Sequence, residues 1–174
     1  MTPKEPAQVS ASERVQNSYK QLNSAAAELN SASDELKEAM SVLDAALKRL
    51  SLGISVWVEI SGGSDDDGQG EWWDRRIGYS KIGKEWCISL ASCRGHYQWP
   101  DQDQVEEWSF NDAPRWMRLE AVAKVPELLE ALVKQAQETA RKMKKRTEQV
   151  LELGAAMSNA LDEIEGKQKA GGNA

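Results

Sequence analysis

From Val15 to Leu50 apolar residues return at alternating steps of four and three, and no other feature of the chain restricts its fold so tightly. With Val15 at heptad position d, the d series is Val15, Leu22, Leu29, Leu36, Leu43 and Leu50, and the a series is Tyr19, Ala26, Ser33, Met40 and Leu47. This is a coiled-coil seam, about 54 Å long at the rise of an α-helix. A second seam begins at Leu129, with Leu129, Ala136, Met143, Val150, Met157 and Ile164 at a and Leu132, Thr139, Arg146, Leu153 and Ala160 at d. Both seams span 36 residues (15–50 and 129–164). An antiparallel hairpin is therefore predicted, in which a faces d and opposing residue numbers add to 179, from Leu50 with Leu129 out to Val15 with Ile164. Ser33 then meets Arg146 in a lone polar layer, a device that can set register.

Between the seams the period falls to two. Ile54, Val56, Val58 and Ile60 alternate with Ser55, Trp57 and Glu59, the mark of a strand with one buried face. An acidic loop follows over 61–70, then strands over 71–81 and 85–92 around the turn Ile82, Gly83 and Lys84, and a fourth over 105–110. Asn111 or Asp112 is placed to cap a short helix whose stripe of Trp116, Leu119, Val122 and Ala123 covers the sheet, and Pro126 separates that helix from the second seam. Ser12 is the expected N-cap of the first helix and Gly53 the residue that closes it.

The predicted fold is α+β: a long antiparallel two-helix coiled-coil hairpin with a small three- or four-stranded antiparallel sheet and a short helix at the connecting end. Its segments are a disordered arm over 1–11, helix over 12–52, a Trp-rich β insert over 53–112, the short helix over 113–125, the second long helix over 126–166 and a flexible tail over 167–174. This order of helix, small β insert and helix resembles the layout of prefoldin-type chaperone subunits.

A net charge of -6 argues against a nucleic-acid or anionic-membrane surface, since both need a basic excess. The run Arg141, Lys142, Lys144, Lys145 and Arg146 spreads around a helix and reads as a solvated face. No window has the length and apolarity of a membrane span, and Met1 to Ala11 lacks a signal-peptide core, so a cytoplasmic location with reduced Cys87 and Cys93 is expected.

The g positions of the first helix carry Ser18, Ala25, Ala32, Ala39 and Ala46, and the e positions of the second carry Val133, Ala140, Thr147, Gly154 and Leu161. Each strip is wider than a two-stranded seam needs, which suits a homodimer with a four-helix core. Ala25, Ala32, Ala39, Ala46, Ala140 and Leu161 are the residues expected to carry that assembly.

Chemistry is sparse. Cys93 and His96 have the spacing of half a zinc site, without the second ligand pair, and as a nucleophile and base they lack an orienting group. Asp65, Asp66, Asp67 and Glu71 do not follow the EF-hand pattern. No catalytic residue, metal site or cofactor is assigned. All seven Trp fall between Trp57 and Trp116, and Trp72, Trp73, Trp99 and Trp108 accompany Arg75, Arg76 and Arg94. Stacking and cation-π contact by this set could hold a protein partner or a small nucleotide-like molecule. The leading expectation is a non-enzymatic oligomeric interaction or scaffold protein, helices assembling and the β end meeting a partner; the alternative is a ligand-binding protein.

Overall fold

Ser10 starts the first long helix through a capping box: its hydroxyl accepts from the Glu13 N–H at 3.2 Å, and the Glu13 carboxylate accepts from the Ser10 N–H at 3.0 Å. The cap is therefore Ser10 and not Ser12, because only Ser10 has a glutamate three residues on. The computed structural model describes residues 10–65 and 70–171, with side chains as far as Asp162. The proposed arm lies outside the described residues except at its last two positions, as do Asp66 and Asp67 of the acidic loop and the last three residues of the tail.

Helix α1 covers Ala11–Arg49. It ends on Ser51, which takes the left-handed conformation (φ 48°) ahead of Gly53 and donates its N–H to the Lys48 carbonyl at 3.1 Å. Strands β1 (Val56–Ser64), β2 (Glu71–Ile82), β3 (Glu85–His96) and β4 (Gln104–Ser109) form one antiparallel sheet in the order β1-β2-β3-β4. Helix α2 spans Arg115–Val122 and α3 spans Val125–Gly171. Pro126 thus opens a helix, where its missing N–H costs little, and α3 continues past residue 166, where the sequence pattern fades.

The fold is α+β with one sheet face covered by helices. Ile77, Tyr79, Ile88 and Leu90 point to that face from β2 and β3, and Met40 and Leu47 of α1, Met117 and Ala121 of α2 and Leu128 and Leu132 of α3 close over them. Each fully buried large side chain contributes about 1.5–3 kcal/mol. α1 packs on β3, α2 also on β3, and α3 on β1 and β2. A bulge at Ile60 adds a residue to β1 and lets Ile60 join the core edge.

A polar line fastens α1. Asn30 accepts from Arg115 at 2.9 Å, Ser33 from Arg118 at 3.1 Å and Ser41 from Asn111 at 2.9 Å, while Asp44 accepts from the Ile88 N–H at 2.7 Å. These residues follow helical spacing on the flank opposite the alanines, which stay exposed at 25, 32, 39 and 46. Asn111 is therefore a tie to α1 rather than a helix cap; Pro114 occupies the cap position of α2.

The expected two-helix seam is not formed. Ser33 pairs with Arg118 instead of Arg146, and Arg146 donates to Gln149 on its own helix at 3.1 Å. Val15, Tyr19, Leu22 and Leu29 on α1 and Met143, Val150, Leu153 and Met157 on α3 are all exposed, Val15 by 67% and Met157 by 68%. The sheet, not the partner helix, is what the inner halves of both seams bury against. No helix among the described residues is long and apolar enough to cross a membrane.

Candidate functional site

Strand alternation sorts the candidate residues by face. Register pairs Glu71 with His96, Trp73 with Arg94, Arg75 with Ser92 and Ile77 with Leu90, so the first three pairs continue the helix-covered face beyond the core. There the helices no longer cover the sheet, and a groove of about 610 Å³ opens, lined by Glu71, Trp72, Trp73, Arg75, Ser92, Arg94, Gly95, His96 and Trp99 with Gln102 and Gln104 beside them. Trp72 and Arg76 belong to the other face by alternation, but Trp72 still lines the groove and Arg76 does not. The Trp72 ring lies on Gly95, where a Cβ would come within 2.6 Å of it, and Arg76 forms an ion pair with Asp74. Trp108 pairs with Leu90 and packs against the hydrophobic core, so its contribution is structural.

Arg75 is the fixed point of the groove. Its guanidinium lies 4.6 Å from the Trp73 ring centroid and 4.4 Å from that of Trp116, and it pairs with Glu120 at 3.3 Å. This clamp uses two residues of α2, Trp116 and Glu120, that strand patterns could not associate with the site. Across the groove Trp99 lies against His96, ring centroids 4.3 Å apart, and the Gln98 N–H donates to His96 Nδ1 at 3.1 Å. With Nδ1 accepting, the neutral imidazole carries its proton on Nε2. Trp99 is 53% exposed, and Arg94 is exposed with no carboxylate in ion-pair range among the described residues.

Cys93 and His96 are not a working pair. Both belong to β3, not to a loop, and a separation of three places their side chains on opposite faces. Burial, reinforced by a hydrogen bond to Asp74 and its negative charge, pushes the Cys93 thiol pKa up, which keeps it protonated and a weak nucleophile. No cluster of three metal-ligating side chains occurs among the described residues. Asp65 instead closes the β1–β2 connection, its carboxylate accepting from the Glu71 N–H at 3.2 Å.

The assembly residues take a second location. Ala25, Ala32, Ala39, Ala46, Ala140 and Leu161 all face solvent on the long helices. No family model, curated protein or solved structure matches this chain. The resemblance of element order to prefoldin-type subunits thus gains no sequence or structural relative in support.

Proposed function

We propose that this chain is a non-enzymatic assembly protein whose long helices associate with a second copy and whose Trp-rich β end meets a protein partner. The observation that carries the reading is the bare outer half of each seam. The apolar stripe that packs Leu36, Met40 and Leu47 of α1 into the core continues through Leu29, Leu22, Tyr19 and Val15, all exposed among the described residues. On α3 the stripe that buries Leu128 and Leu132 continues through Met143, Val150, Leu153 and Met157. Contiguous exposed apolar surface of this extent marks an interaction site. A four-helix core built from two copies gives both stripes a floor, and the flanking alanines permit close approach. Sedimentation at about 10 µM is expected to return a dimer mass; a monomer at that concentration overturns the reading.

A second reading rests on the groove. Arg94 without a described ion-pair partner, in a groove that the partly exposed Trp73 and Trp99 also line, suits a planar anionic ligand such as a nucleotide. Adenosine monophosphate is expected to quench tryptophan fluorescence in the wild type and not in Trp99→Ala or Arg94→Ala. An unchanged titration in all three removes this reading.

A further inference from the structure

We infer that the outer half of α3 is covered by the same segment of a second copy, antiparallel, about a twofold axis between Leu151 and Glu152. The inference rests on the assembly reading above and selects one pairing from those it allows.

Charge along α3 makes the selection. Five of the six residues from Arg141 to Arg146 are basic, whereas Thr147 to Gly166 holds Glu148, Glu152, Asp162, Glu163 and Glu165 and no basic residue. A parallel mate would lay basic on basic. An antiparallel mate about this axis lays Arg141 to Arg146 against Met157 to Asp162, next to Glu163 and Glu165, twice, by symmetry. The outer half of α1 offers no such complement, since Ala11 to Asn30 carries Glu13, Arg14, Lys20 and Glu28 and sums to zero.

Shape agrees with charge. With a facing d, the axis between Leu151 and Glu152 puts Val150 against Leu153, Arg146 against Met157 and Met143 against Ala160. A shallow depression of about 430 Å³ on the surface of α3 is lined by Thr139, Lys142, Met143, Arg146, Thr147 and Val150. In this register it receives Leu153, Ala156, Met157, Ala160 and Leu161 of the second copy, an apolar set that alternates large and small. Gly154, which costs a helix interior about 1 kcal/mol against alanine, sits beside this centre with open space where a Cβ would be. Met143, Val150, Leu153, Met157 and Leu161 are each 58–68% exposed, and with the stems of Arg146 and Lys142 they make the strip that this pairing buries.

The test mixes two single-site variants of the full chain, Val150→Cys and Leu153→Cys, under mild oxidation. Both positions are exposed in the single chain, so folding tolerates the changes, and Cys87 and Cys93 are buried. Cross-linked dimer is expected to form roughly tenfold faster in the mixture than in either variant alone, because only the mixture brings unlike positions together at high effective concentration. Sedimentation of the unmodified protein runs alongside. A dimer mass with no advantage for the mixture overturns this register and leaves the assembly reading standing; a monomer mass overturns both.

Discussion

The inner and outer halves of the same two helices share one heptad pattern and meet opposite fates. On α1, Met40 and Leu47 at a are buried over β3 with Leu36 packed against them, while Tyr19 at a and Val15, Leu22 and Leu29 at d face water. On α3, Leu132 at d is buried beside Leu128, and Leu153 at d and Met157 at a are exposed. Heptad position therefore states that a side chain wants cover and says nothing of what supplies it. The sheet supplies it for the inner halves, and its width ends before the helices do.

The largest expected contrast tests that division. Leu128→Ala removes a fully buried side chain from between α3 and the sheet and is expected to cost about 2–5 kcal/mol in chemical unfolding. Met157→Ala on the same helix is expected to stay within about 0.5 kcal/mol in dilute protein, its effect appearing in the dimer mass instead. Equal losses in dilute protein would mean that the outer half is packed within the single chain.

A smaller contrast concerns the polar residue in the seam. Ser33 is buried, and its hydroxyl accepts from Arg118, whose Nε and Nη1 have no hydrogen-bond partner among the described residues. Ser33→Ala removes that bond and is expected to cost about 1–3 kcal/mol, because a buried guanidinium loses a partner it cannot replace with water. Arg146→Ala, which removes the partner that hairpin register assigns to Ser33, is expected to change unfolding by less than about 0.5 kcal/mol. The reverse order of effects would restore the hairpin.

Local period was legible in the sequence and tertiary cover was not. Alternation and turn residues placed the strands, yet β1 and β3 run further than their apolar residues indicate. Gly62 to Ser64 and Arg94 to His96 carry no strand signal of their own and are held by pairing with β2. At the groove, parity puts Trp73, Arg75 and Arg94 on one face and Trp72 and Arg76 on the other, yet Trp72 lines the groove from there and Arg76 does not. Trp116 and Glu120 could not be reached this way, since their place beside Arg75 depends on where α2 docks on β3. No paired seam forms for the same reason: two seams of equal length satisfy a numerical register, but the alternating face of β2 and β3 competes for the same helices and takes Met40, Leu47 and Leu132 from the seams.

The smallest effect expected is alkaline, and it reports on the sheet-covered half. Burial raises the pKa of the Cys93 thiol, and likewise that of the Tyr79 phenol, which lies beneath the helices and stacks on Trp86. The hydrogen bond to Asp44 raises that of Lys48, against a smaller opposing effect of burial. In each case the folded chain holds a proton that the unfolded chain releases at lower pH, so the native state binds more protons and unfolding is favoured as pH rises. The stabilisation is present in full below the unfolded values and is lost as pH climbs from about 9 through the folded ones. Chemical unfolding monitored by tryptophan fluorescence between pH 8 and 11 should therefore show stability falling with pH. Tyr79→Phe should flatten the fall, because the phenol no longer ionises in either state, whereas Tyr19→Phe, on the exposed outer half of α1, should leave it as it is. A Tyr79→Phe profile that matches the wild type would mean that ring burial at the core does not govern the alkaline limb, and would leave Cys93 and the Lys48–Asp44 bridge at 2.9 Å as its source.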